Sequence, residues 1–126
     1  MDAIDLKIIT LLQKNARMPL KVLAEQVYLS SPATAARIEK LEKEGIISSY
    51  TVNIDLKKVG FPIIAFVKLD LDPKLKPEFY PYIKAHPNVL ECSCVTGQYS
   101  QLIKVAFATT EDLDLFVGDL NNYGHT

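Results

Sequence analysis

The side chains best equipped to recognise a ligand in this chain lie between Ser30 and Lys40. Ser30 and Ser31 can donate hydrogen bonds to phosphate, and Arg37 can pair bidentately with a guanine edge. Lys40 adds a second cation, while Pro32, Ala33 and Ala36 leave room for close approach or for contact with a thymine methyl. Together these seven residues have the chemistry to bind double-stranded DNA. The same residues also suit a plain three-helix bundle in which Arg37, Lys40 and Lys43 are solvated and paired with Glu39, Glu42 and Glu44. Spacing alone does not choose between the two.

A second polar group is the run Thr96-Gly97-Gln98-Tyr99-Ser100-Gln101. A glycine lets backbone amides approach an anion, and Gln or Ser side chains hydrogen-bond a polar ligand. An ordinary hairpin bend, with Tyr99 packed on a neighbouring chain, fits the run equally well. Cys92 and Cys94 would share one face of a strand, a poor geometry for a mutual disulfide, and read as reduced thiols. No His or Cys lies close enough to complete a metal site with them. His86, beside Pro87, reads as a helix-terminal imidazole, and His125 has no evident partner. With no phosphate loop, nucleophile elbow or spaced ligand set, nothing here proposes an enzyme, a cofactor or a metal.

These groups need elements to hold them. Ile4, Ile8, Leu11 and Leu12 keep helical spacing behind Asp2 as N-cap, which predicts a helix from Ala3 to Asn15. Leu20, Leu23, Ala24 and Val27 predict a second over Pro19–Val27. Ser31 as N-cap with Pro32 at the first helical position, then Thr34, Ile38 and Leu41 facing inward, predicts a third from Pro32 to Glu44, stopped by Gly45. Two short helices joined by a tight turn make a unit that a major groove admits. Beyond Gly45 the period changes to two. Ile46–Asp55 reads as a strand that leaves the helical domain and runs on towards Gly60 and Pro62.

The second half alternates strand and helix signals: Ile63–Leu71, Pro77–Ala85, Val89–Thr96, Leu102–Ala108 and Glu111–Leu120. Pro81 should make the first of its helices start late or bend. The predicted fold class is therefore α+β: a three-helix helix-turn-helix domain at 1–50, a linker strand at 51–61, and a ferredoxin-like βαββα(β) domain at 62–126. Asn121, Asn122 and Gly124 promise a turn into a last strand, but the sequence ends at Thr126. The expectation is a sheet with that strand missing and an edge left open, in a chain cut short.

Several runs resemble the Lrp/AsnC (feast/famine) family: Ile4-Asp5-Leu6-Lys7-Ile8-Ile9, Asn15-Ala16-Arg17, Leu23-Ala24, Leu29-Ser30, Arg37 through Ile47, and Tyr50-Thr51. Val89-Leu90-Glu91-Cys92 and Val95-Thr96-Gly97 are similar to the family's second domain. The resemblance implies a transcription regulator that binds DNA through its third helix. It also implies a homodimer formed through the sheets, often built into larger rings, with an amino acid or other small polar effector sensed between dimers. In the family the loop commonly reads Gly-Asp-Tyr-Asp; here Gln98 and Ser100 stand where the two acids would be. That change removes the charge that would pair with an α-ammonium group and implies a weak or absent response to common α-amino acids, with a different small polar effector or constitutive DNA binding in its place. The architecture is also similar to that of sirohaem decarboxylases, a reading that would have to rest on His86 or His125.

Composition sets outer bounds. The chain is 48% hydrophobic and 23% charged, with a formal charge of −1, a soluble globular profile without a membrane-length apolar run or a cleavable leader. A cytoplasmic location with no membrane partner follows. Charge gives DNA binding little support: residues 1–50 carry seven Lys or Arg against six Asp or Glu.

Overall fold

The computed structural model describes residues 1–126 and divides into two compact units, Met1–Asn53 and Ile54–Thr126. The first holds α1 (Ala3–Lys14), α2 (Leu20–Gln26) and α3 (Ser31–Lys43). Asp2 caps α1 by accepting from the Asp5 N–H at 2.9 Å, and Asp5 returns the bond to the Asp2 N–H at 3.3 Å. This reciprocal pair satisfies two amides that the helix itself cannot. Ile8, Leu23, Val27 and Leu41, one or more from each helix, close the core. Thr34 is also buried, its hydroxyl donating to the Ser30 carbonyl at 2.9 Å.

The third helix starts one residue earlier than its sequence suggests. Ser30, not Ser31, is the N-cap, with its Oγ accepting from the Ala33 N–H at 3.2 Å, so Ser31 and Pro32 take the first two helical positions. Proline is tolerated at either, because neither N–H has a partner within the helix.

Two helices end in the same hydrogen-bonded reversal. After α3, Gly45 (φ 74°) donates to the Glu42 carbonyl and Ile46 to that of Leu41. After α2, Tyr28 (φ 57°) donates to Glu25 and Leu29 to Ala24. This left-handed position suits glycine, and a side chain there costs about 1–2 kcal/mol. Tyr28 recovers little of that, being 89% exposed, with Lys7 Nζ 5.5 Å from its ring centre.

The predicted strand over Ile46–Asp55 does not form. Its β-branched residues favour a strand only where a neighbouring strand supplies hydrogen bonds, and no strand of this chain pairs with it. The same holds for the linker strand over 51–61. Asp55 instead caps a single 3-10 turn at Leu56–Val59, which Gly60 ends with φ 96°.

The second unit is a four-stranded antiparallel sheet: β1 (Ile63–Leu71), β2 (Val89–Cys94), β3 (Gln101–Phe107) and β4 (Gly124–His125), in the order β2-β3-β1-β4. Two helices, α4 (Lys76–Ala85) and α5 (Thr110–Leu120), complete it. Period-two alternation puts Val67, Leu69 and Leu71 of β1 and Ile103, Val105 and Phe107 of β3 into one core. Phe79 and Ile83 from α4 and Phe116 and Leu120 from α5, each pair four residues apart, cover that face. Contrary to the late start suggested by Pro81, α4 begins at Lys76 and carries the proline in its interior. Pro81 is exposed, so the carbonyl it leaves without an N–H lies on a wet side of the helix.

The last strand, expected to be missing, is present in minimal form. Gly124 and His125 pair with Leu71 and Asp70, and the Asp72 N–H donates to the Tyr123 carbonyl at 2.9 Å. A Cβ on Gly124 would overlap the Asp70 backbone carbonyl, so only glycine allows the strands this close. The rest of β1, from Ile63 to Leu69, has no partner along that edge. No helix is long and apolar enough to cross a membrane.

Replacing Tyr28 with Gly should stabilise the protein by about 0.5–1 kcal/mol, the relief of the left-handed backbone less the loss of a weak cation-π contact. Urea unfolding of the two proteins measures it; an unchanged or lower midpoint would show that the turn carries no strain.

Candidate nucleic-acid interface and effector loop

On α3 the inward positions Thr34 and Leu41 are buried and Ile38 is half-buried. The opposite side presents Pro32, Ala33, Ala36 and Lys40 to solvent, with Ser31 partly exposed at the helix start. The small residues leave the helix backbone open to close approach along this strip. Lys40 reaches Glu44 only at 3.9 Å, whereas Lys43 is bound to Glu39 at 2.9 Å; both pairs are exposed and contribute little to stability.

Arg37 is differently placed from the other residues on the strip. Its Nη1 lies 2.7 Å from Asp2 Oδ2 and 3.2 Å from Asp5 Oδ1, joining α3 to the capped end of α1. Asp2 thus serves both its own helix and Arg37, and the hydrogen bond from Arg37 holds its carboxyl down to about 2 from an ordinary 3.8. The Arg37 pKa is raised in turn, chiefly by Asp2 and then by Asp5. These contacts use Nη1 alone, so Nη2 and Nε keep their donors, but the group is held against α1 rather than free to swing along the strip. Spacing could not reveal this tie, since the partners are 35 and 32 residues apart in sequence.

The run 96–101 is divided between a cleft and the sheet. Gly97 makes the bend with φ 113°. Lys68, Val95, Thr96, Gln98, Tyr99 and Leu102 line a cleft of about 410 Å³. Ser100 is instead pinned to β1: its N–H donates to the Leu69 carbonyl at 3.1 Å and its Oγ accepts from the Leu71 N–H at 3.3 Å. Gln101 opens β3 and is 2% exposed, on the face covered by the helices. Lys68 was not singled out from the sequence. The alternation of β1 places it on the face opposite Val67 and Leu69, but its nearness to the loop follows only from the pairing of Lys68 with Leu102.

That face of the sheet has no cover. Ile64 and Phe66 lie open on β1, Phe66 at 62% exposure, with Lys104 Nζ 5.8 Å from its ring centre. Leu102, Lys104, Glu91 and Ser93 continue the surface across β3 and β2 by their register. His86 has a structural post: its Nδ1 accepts from the Asn88 N–H at 3.1 Å, and its ring sits edge-on to Phe116 at 4.9 Å.

Comparison with known proteins follows the same division. Residues 1–48 match the winged helix-turn-helix DNA-binding family, and residues 64–125 match the Lrp/AsnC ligand binding domain. The chain is 35% identical over 125 residues to the HTH-type transcriptional regulator LrpA of Bacillus subtilis, covering 98% of this chain and 92% of that one. This protein belongs to the Lrp/AsnC family. Among solved structures, LrpC of B. subtilis superposes with a TM-score of 0.92 at 30% identity, over 99% of this chain and 89% of that one. A Neisseria meningitidis transcriptional regulator solved as an L-Met complex gives 0.89 at 28% identity, over 93% and 77%. As an Lrp/AsnC protein the chain is a DNA-binding transcription regulator with a helix-turn-helix domain and a ligand-binding domain.

The Arg37 tie sets a pH dependence. Asp2 has a depressed pKa in the folded state, so its share of stability is complete above about 3.8 and is lost as pH falls through about 2. Replacing Arg37 with Ala should lower the melting temperature near neutral pH, and the gap to the parent should narrow as pH falls from about 5 towards 2. A pH-independent gap in thermal scans would mean that the ion pair does not hold α3 to α1.

Proposed function

We propose that this regulator binds double-stranded DNA as a homodimer or higher assembly, with the α3 helices of two copies entering successive major grooves. The observation that carries this is the strip on α3 where Pro32, Ala33, Ala36 and Lys40 are exposed behind the Ser30 cap, while the opposite side of the helix is buried. Ser30, Ser31 and Lys40 are the phosphate contacts, and Pro32, Ala33 and Ala36 face the bases. Arg37, the sequence-based choice for guanine, acts first by fixing α3 on α1. Twofold symmetry asks for a pseudo-palindromic operator with half-sites roughly 34 Å apart or a multiple of that. The open sheet face around Ile64, Phe66 and Leu102 supports pairing between copies, since an apolar surface of this kind is costly to leave wet. Such a regulator works in the cytoplasm, and its role is regulatory rather than enzymatic.

For the effector, the cleft at Lys68, Thr96, Gln98 and Tyr99 supports a small polar ligand bearing a negative charge. Its lining includes one cation and no carboxylate, so an α-ammonium group would meet Lys68 without a counter-ion. This chain therefore responds weakly or not at all to common α-amino acids; a relative at 28% identity is solved as an L-Met complex.

Selection of bound DNA from a random pool, with Lys40→Ala and Phe66→Asp variants in parallel, tests the first reading. Lys40→Ala should weaken binding to all sequences alike and lower the salt dependence by about one counterion. Phe66→Asp should shift the protein to monomer in sedimentation and lose the paired half-site pattern. An unpaired recognition sequence bound by the parent would sink the dimeric reading. For the effector, calorimetry against the twenty amino acids and their 2-oxo acids should show heat with the oxo acids alone, abolished by Lys68→Ala. A tight α-amino-acid binder indifferent to Lys68 would place the site elsewhere.

A further inference from the structure

Cys92 and Cys94, two residues apart on β2, both lie against the Gln101 amide at the edge of the helix-covered face. The amide treats them unequally. Its oxygen accepts from the Cys92 thiol at 3.4 Å, while its nitrogen donates to Cys94 Sγ at 3.5 Å and to the Tyr80 hydroxyl oxygen at 3.2 Å. Because the Tyr80 oxygen already accepts a bond, its own proton is free for Cys94 Sγ, 3.7 Å away. Cys94 could instead donate to the Gln101 oxygen, but at 3.9 Å that contact is longer and competes with Cys92. The planar amide thus makes one thiol a donor and gives the other sulfur two donors.

Burial sharpens the contrast. Gln101 is 2% exposed and held by β3, so it cannot turn freely, whereas Cys94 is exposed and Cys92 is half-buried. Two donors and open solvent are what a thiolate needs; one acceptor and an apolar surround favour a thiol. The acidities agree in direction. Hydrogen bonds from Tyr80 and then Gln101 lower the Cys94 pKa, aided by the charge of Lys76, while burial raises that of Cys92.

We propose that Cys94 is a site of reversible oxidation by hydroperoxides, with Tyr80 and Gln101 as its positioning residues. The Cys94 thiolate attacks one peroxide oxygen; a sulfur–oxygen bond forms, the oxygen–oxygen bond breaks, and hydroxide or alkoxide leaves with the electron pair. Sulfur is oxidised to the sulfenic acid and the peroxide is reduced. A small-molecule thiol then attacks that sulfur, releases water and leaves a mixed disulfide, which a second thiol opens. Cys92 does not resolve the sulfenic acid, since strand geometry keeps it from closing a disulfide with its neighbour. The modified sulfur lies directly before Val95, whose N–H closes the 95–100 loop on the Ser100 carbonyl at 2.9 Å.

The test is the rate of Cys94 modification by hydrogen peroxide and by iodoacetamide, mapped by peptide mass spectrometry. In the native protein Cys94 should react at least about threefold faster than in the same chain unfolded in urea, and the peroxide product should be reversed by dithiothreitol. Tyr80→Phe keeps the ring but removes one donor to Cys94 and the acceptor of a Gln101 N–H, so it should bring the native rate down towards the unfolded one, measured well below the melting temperature of the variant so that the fold is intact. Cys92 should be slower in the native protein than in urea. If native Cys94 reacts no faster than the unfolded chain, or if Tyr80→Phe leaves its rate unchanged, the assignment is wrong.

Discussion

Covering one face of the β1–β3 ladder with α4 and α5 is the constraint on which the second unit depends. Val67, Leu69, Ile103 and Val105 are buried by this, and period-two geometry then sends Ile64, Phe66 and Leu102 to the other side. The apolar residues on the open face are therefore not surplus core. The register that seals the interior also composes the exterior. It brings Lys68 opposite Leu102 beside the bend at Gly97, and it places Gln101 under the helices rather than in the loop it follows.

In the first unit the comparable role falls to the junction of Asp2, Asp5 and Arg37. Asp2 caps α1, Asp5 completes the cap, and the same carboxylates hold the guanidinium of α3. The orientation of α3 is thus tied to the start of α1 by charge as well as by the packing of Ile8 against Leu41. Arg37 positions the strip, and the small residues beside it form the strip.

Much of this was legible in the sequence because it is local. The three helices, their inward residues and the strand–helix alternation follow from periods of 3.6 and two, and the resemblance to the Lrp/AsnC family gave the function its class. Where two neighbours could serve equally, as with Ser30 and Ser31, sequence alone chose the wrong cap by one residue. Ile46–Asp55 has strand composition, but a strand is a pairing, and composition does not supply the partner. β4 was missed for the opposite reason: two residues are too few to show a period, and the informative fact is the close approach of Gly124 to Asp70. The Arg37 tie and the Tyr80–Cys94–Gln101 group each join residues that only folding brings together.

The two ends of α3 meet their turns on unequal terms. Gly45 relaxes into the left-handed reversal that ends the helix, whereas the reversal just before the helix is occupied by Tyr28. The packing of Leu29 and Thr34 at the entrance to α3 thus works against a strained turn, an opposing cost that the exit, with Gly45, does not carry.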